Sequence, residues 1–227
     1  MKPLYKDLNV RAHCPDCGAA VSTFEHRDAQ KEYGTIIVNA NHNFQGGNYS
    51  RILYVLMRCA SCHRGGLATI HDSGNVAQGA LESFFPISID NAAIPTGVPQ
   101  GIAAEFREAE LCAAFGAYRG ASALLRSTLE KTLKVNGYGK GSLEGKIDEA
   151  ASDGVITAAR RKRAHDDIRV LGNDVLHDEW REVKEEEVSG AHQYIQRILE
   201  DFYDDRPSVD AILTSKKRIQ PAPTQNQ

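Results

Sequence analysis

The chain has 227 residues, 41% of them hydrophobic, and 27 Lys and Arg against 30 Asp and Glu leave a net charge of −3. That balance excludes a surface that is basic throughout, so any contact with nucleic acid has to be a local patch. Residues 1–12 hold no apolar leader core and no run approaches the roughly 18 apolar residues of a membrane span, so the sequence reads as cytoplasmic, with no membrane partner.

In chain order, the first signal is a pair of Cys-x-x-Cys knuckles, H-C-P-D-C-G at 13–18 and R-C-A-S-C-H-R-G-G at 58–66. In a reduced compartment, two such pairs indicate a metal before disulfides. The four thiolates of Cys14, Cys17, Cys59 and Cys62 suit Zn2+, each knuckle presenting two sulfurs at ~2.3 Å from a tetrahedral ion. Because that set leaves no open position for water activation, the zinc is expected to be structural. A Gly shortly after each knuckle lets the backbone turn back. His13 and His63 are adjacent alternative ligands that a complete four-Cys set makes unnecessary. Arg11, Arg51, Arg58 and Arg64 surround the knuckles, as phosphate contacts or as scattered surface charges.

The 41 residues between Cys17 and Cys59 exceed a minimal ribbon. Strand-like runs at Tyr33–Asn39 and Ile52–Met57, separated by the turn-rich N-H-N-F-Q-G-G-N, predict an inserted hairpin. Gly66–His71 and Val76–Phe85 read as further short strands, with a turn at Asp72–Asn75, so the N-terminal module is mostly antiparallel β. Three prolines within 86–101 break both periodicities and mark a linker. The expected organisation is a zinc-ribbon β domain with its linker over 1–94, an all-α domain over 95–205, and a tail over 206–227, disordered after about residue 215.

From Gln100 onward the pattern is helical. Ile102, Phe106, Ala109, Ala113 and Ala117 form one apolar line, while Leu111, Phe115 and Tyr118 fall on the other side, as in a helix central to its bundle. The fifth cysteine, Cys112, lies in this stretch and reads as a small buried hydrophobe. A second helix over Ala121–Val135 carries Leu124, Leu125, Thr128, Leu129 and Leu133 and stops at N-G. Its Arg126 and Glu130, at i,i+4, form a helix-face ion pair or turn toward the polar stripe described below. A third helix over Ser142–Ala151 starts at a capping Ser. The fourth, from about Thr157, contains Arg160, Arg161, Lys162 and Arg163, a solvated face or a site for an extended polyanion. A last helix opens on K-E-E-E at 184–187, acids that suit its dipole, and is lined by Val188, Ala191, Ile195, Ile198 and Phe202. Trp180 precedes it as a cover for the fourth helix's end.

The fourth helix leads into I-R-V-L-G-N-D-V-L-H at 168–177. At about 100° per residue, Arg169, Asn173 and His177 share one stripe. A guanidinium, an amide and an imidazole so placed suit holding a phosphate and moving a proton. The alternative is a buried polar stripe that clamps neighbouring helices. Gly172 costs about 1 kcal/mol within a helix, which close packing, a kink or backbone access to a ligand would justify.

Four segments together carry a family resemblance: Ile94, Pro95 and Val98 at the entry, E-A-E-L-C at 108–112, A-L-L-R-S-T-L-E at 123–130 and the 168–177 stretch. Over about residues 95–204 the chain resembles the domain-of-unknown-function family 4145 (DUF4145), which is similar in turn to the HEPN superfamily of small helical bundles. The resemblance implies an α+β protein, a small antiparallel-β zinc ribbon followed by a HEPN-like bundle. It implies attachment to phage-defence or toxin-type systems, with RNA and a defence protein as partners and a homodimer through the helical domain. It implies a metal-independent endoribonuclease in which His177 transfers protons, Arg169 stabilises the charged phosphorane and Asn173 positions the phosphate or the imidazole, with Arg126 and Glu130 in support. Arg160, Arg161, Lys162 and Arg163 are the nucleic-acid-binding candidates. Seven residues separate Arg169 from His177, more than in the motif of that superfamily. The competing reading is a non-catalytic module whose ribbon recruits nucleic acid or a protein.

Overall fold

A computed structural model describes residues 3–18, 20–26, 38–45, 48–72, 75–89, 91–171 and 182–220, with the backbone alone at 38–45, 48–51, 76 and 165–171. The chain divides into two compact units, Met1–Asn91 and Ala92–Gln227. The divide falls three residues before the expected boundary.

The first unit is antiparallel β. Its strands are β1 (Leu4–Lys6), β2 (Asn9–His13), β3 (Val21–His26), β4 (Val38–Gln45), β5 (Asn48–Cys59), β6 (Gly65–Asp72) and β7 (Ala80–Phe85). They run in the order β1-β2-β3-β5-β6-β7, with β4 pairing β5 off this path, and β1 lies beside β7 in a barrel-like sheet. Strict alternation makes the core: Leu53, Val55, Met57 and Cys59 of β5 are buried while Tyr54 and Leu56 are exposed. From β2, β3, β6 and β7, Val10, Ala12, Phe24, Ala68, Ile70 and Phe84 complete the interior. Phe24 and Phe84 meet edge to face with centroids 4.8 Å apart. Gly66 allows that meeting, since a Cβ there would lie 3.0 Å from the Phe84 ring and 3.0 Å from the Phe85 carbonyl.

The inserted hairpin is present with a shorter turn than expected, and residues 33–37 of its expected first strand lie outside the described residues. β4 occupies 38–45 and Gln45 pairs with Asn48, so most of N-H-N-F-Q-G-G-N is strand. Those turn-forming residues are overridden by pairing to β5, in a ladder that shifts register between Asn39 and His42. The run expected as one strand at Val76–Phe85 is a 3-10 turn over Val76–Gln78 followed by β7.

The second unit is helical: α1 (Gln100–Ala114), α2 (Tyr118–Val135), α3 (Leu143–Ser152), α4 (Ala158–Leu171), α5 (Glu185–Tyr203) and α6 (Arg206–Ser215). Its core draws on Ile102 and Phe106 of α1, Leu125, Leu129 and Leu133 of α2, Ile147 of α3, and Ile195, Ile198 and Phe202 of α5. Ser142 caps α3 by accepting the Gly145 N–H at 3.1 Å, and Glu187 accepts the Lys184 N–H at 2.9 Å at the start of α5.

Three expectations are corrected here. The second face of α1 meets solvent, with Leu111 42% and Phe115 61% exposed, so α1 is an outer helix and not the centre of the bundle. The prolines of the expected linker do not free it: Ala92, Ile94 and Val98 pack on the helical core. The expected tail is structured through residue 220, because α6 buries Val209 and Leu213 and Arg218 closes on Glu149 and Asp153. No helix among the described residues is long and apolar enough to cross a membrane. Trp180 lies outside the described residues.

Candidate metal centre

Each Cys pair sits at the tip of an antiparallel hairpin, Cys14 and Cys17 between β2 and β3, Cys59 and Cys62 at the turn from β5 to β6. The two tips are neighbours because β3 pairs β5, Phe24 facing Cys59. The knuckles close by different backbone bonds, from Cys14 to the residue three on and from Cys59 to the residue four on, but share one left-handed position. Cys17 N–H donates to the Cys14 carbonyl and His63 N–H to that of Cys59, both at 3.1 Å. The residue after the second Cys is left-handed in each, Gly18 at φ 65° and His63 at φ 67°. At the second knuckle the expected glycine is therefore replaced by His63, from a residue type that tolerates this region better than most.

The four Sγ atoms lie within 4.8 Å of one another. Across the knuckles Cys14 and Cys62 are 3.5 Å apart and Cys17 and Cys59 3.9 Å. A tetrahedron with metal–sulfur bonds of ~2.3 Å has edges of about 3.8 Å, so the set fits one tetrahedral ion. All four cysteines are free thiols, with Cys14 and Cys59 fully buried.

Their protonation shows what a dication would relieve. Burial pushes the Cys14 thiol up to about 12, aided by hydrogen bonding to Cys62. Cys59 is also buried, yet the backbone N–H groups of Cys62 and Ser61, with the Cys62 thiol and Ser22 hydroxyl, bring it down to about 6. Crowded sulfurs hold few negative charges by themselves; a bound cation lets all four ionise. The buried Ser22 and an ion pair between Asp16 and Arg64, which ties one knuckle to the other, were not singled out in the sequence. Arg64 is thereby committed to a carboxylate.

Of the helical candidates, Arg169 stands on α4, with only its backbone described, and Asn173 and His177 lie outside the described residues. Arg126 and Glu130 form the helix-face ion pair at 3.1 Å. The basic turn of α4 is partly engaged within the unit: Arg160 pairs with Asp201 and donates to the Arg197 carbonyl at 2.8 Å, and Arg161 pairs with Asp148 at 2.6 Å. Burial lifts the Asp201 carboxyl above its ordinary value against the pull of Arg160. Lys162 and Arg163 are exposed.

A polar cluster in the helical unit escaped the sequence reading. The buried Glu110 carboxylate receives Arg107 at 2.7 Å and the Ala92 N–H at 2.8 Å, and lies 2.9 Å from His192 Nε2. The available signal was a charge at 110 beside the apolar line through Phe106 and Ala109.

No curated protein matches the chain, and no solved structure does. Residues 107–221, half of the chain, match the family described as Domain of unknown function (DUF4145). The chain belongs to the DUF4145 family.

Proposed function

We propose that this protein is a non-catalytic adaptor, a zinc-ribbon recognition module joined to a HEPN-like helical module. The carrying observation is the tetrathiolate itself: four Sγ atoms within 4.8 Å of one another at the tips of two hairpins. When bound, zinc supplies a structural cross-link between Cys14 and Cys17 on one hairpin and Cys59 and Cys62 on the other, and four sulfurs leave it no position for substrate. The partial engagement of the α4 cations by Asp148 and Asp201 supports a binding role over an open polyanion track. Elemental analysis of the purified chain tests this reading, with one zinc per chain expected. An intact β unit in a Cys14→Ser, Cys59→Ser variant would overturn the structural role.

A second reading, a metal-independent endoribonuclease using Arg169, Asn173 and His177, has one supporting observation: α4 stays helical through Leu171, so Arg169 stands on a helix as the stripe requires. Cleavage of RNA in EDTA, lost in His177→Ala without a change in melting temperature, would establish it. No cleavage across several RNAs would leave the adaptor reading in place.

A further inference from the structure

The four thiols of the metal centre are unequally guarded. Cys14 and Cys59 have no exposed surface and Cys17 is half-buried, whereas Cys62 is exposed. Its neighbours Ala60, Ser61 and His63 are exposed too, so the tip of the second knuckle projects into solvent. Zinc thiolates remain nucleophilic, and which one a small oxidant reaches is decided by access. A sulfur of the other knuckle stands ready beside it, Cys14 Sγ at 3.5 Å, against 3.9 Å for Cys17 and Cys59. Bringing such a pair to a bond of ~2.05 Å takes a movement of about 1.5 Å, within the reach of side-chain rotation.

We propose that Cys62 is the oxidation site of this protein, attacked by peroxides, with Cys14 as the resolving thiol. The proposal rests on the zinc reading above. Cys62 thiolate attacks one peroxide oxygen: an S–O bond forms, the O–O bond breaks, and the departing hydroxide leaves as water after taking a proton. Cys14 thiolate then attacks the Cys62 sulfur; an S–S bond forms, the S–O bond breaks, and the second hydroxide is protonated to water. Two thiolates lose two electrons, and one hydrogen peroxide with two protons becomes two waters. Cys17 and Cys59 remain, too few to hold the metal tightly, so zinc leaves as the disulfide closes. A thiol reductant reverses the step and restores the site. The staple of the β unit thereby becomes sensitive to peroxide.

The test uses the full chain with Cys112→Ser, which removes the thiol of the helical unit from the readout. Zinc-loaded protein is treated with hydrogen peroxide while a chromophoric chelator reports released metal, and disulfides are mapped by mass spectrometry after alkylation. The expected result is one zinc released per Cys14–Cys62 disulfide, with limiting iodoacetamide labelling Cys62 first. Cys62→His, which keeps a zinc ligand but no oxidisable sulfur, should slow release by at least about tenfold. A first disulfide of Cys59–Cys62, Cys14–Cys17 or Cys17–Cys59, or release at the parent rate from Cys62→His, overturns the proposal. Mapping on the parent protein decides even where Cys62→His fails to fold. Absence of zinc before any oxidant overturns the tetrathiolate reading instead.

Discussion

His192 Nε2 lies 2.9 Å from Glu110 Oε1, joining α5 to α1 through a carboxylate whose side chain is only 3% exposed. The same carboxylate holds Arg107 and the Ala92 N–H, and the His192 ring stacks on Phe106 with centroids 4.8 Å apart. One side chain thus fixes the entry of the chain into the helical unit, the orientation of α5 and a ring of the core. Glu110→Ala leaves three partly buried donors without their acceptor and should destabilise the helical unit by about 1–3 kcal/mol. Glu110→Gln, which keeps an acceptor oxygen, should cost less. Urea unfolding followed by helical circular dichroism compares the two; equal stability of Glu110→Ala and the parent would show that solvent replaces the cluster.

The turn after α6 makes a second joint. Arg218 donates to Asp153 at 2.8 Å and Glu149 at 3.0 Å, and its guanidinium lies 4.7 Å from the Tyr138 ring centroid. Gly137, at φ 92°, lets the chain pass there, for a Cβ would stand 2.5 Å from the Arg218 carbonyl. Removing residues 216–227 should therefore lower helical stability by about 1–3 kcal/mol, the sum of a charge-assisted contact and a cation–π contact. A truncated chain that melts with the parent would return this segment to the status of a tail.

The two cysteine knuckles were legible because metal ligands need a fixed spacing, and β5, α2 and α5 because burial on one face imposes a period. Three features were not legible, each for its own reason. β4 is written in turn-forming residues, and only its ladder to the strongly patterned β5 makes it a strand. The polar composition of residues 206–220 conceals two buried side chains, Val209 and Leu213, and an arginine whose acidic partners lie far back in the sequence. Glu110 is joined to residues 18 and 82 positions away, and no local period reports such distances. Apolar residues at Leu111 and Phe115 mislead in the opposite sense, since hydrophobicity alone does not distinguish a covered face from an open one.

Neighbouring cations of α4 should behave differently. Arg160 is paired with Asp201, whose side chain is 14% exposed, whereas Lys162 is exposed. Arg160→Ala leaves that carboxylate without its cation and should cost about 1–3 kcal/mol, while Lys162→Ala should stay within about 0.5 kcal/mol of the parent. Thermal melts of both variants check this. Salt-dependent binding to single-stranded RNA and duplex DNA adds a second readout: a slope lowered by Lys162→Ala in a fully folded protein would favour the nucleic-acid role of this turn.

Alkaline pH should weaken the helical unit through Tyr138. Its phenol is held above the ordinary value of 10.0 by burial first, then by the charge and hydrogen bond of Asp153, with Arg218 pulling the other way. A folded-state pKa above the unfolded one means that the unfolded chain loses this proton first. Between the two values the native state binds more protons, so stability falls as pH rises past about 10 and is fully present below it. Tyr203, raised by burial against Asn136 and Arg206, acts in the same direction. Tyr138→Phe removes one of these two groups. It should cost about 1 kcal/mol near pH 8 through the lost bond to Asp153, and show a shallower decline toward pH 11. Urea midpoints at pH 8, 10 and 11 measure both effects; parallel declines in parent and variant would mean that the Tyr138 phenol ionises as easily in the folded chain as in the unfolded one.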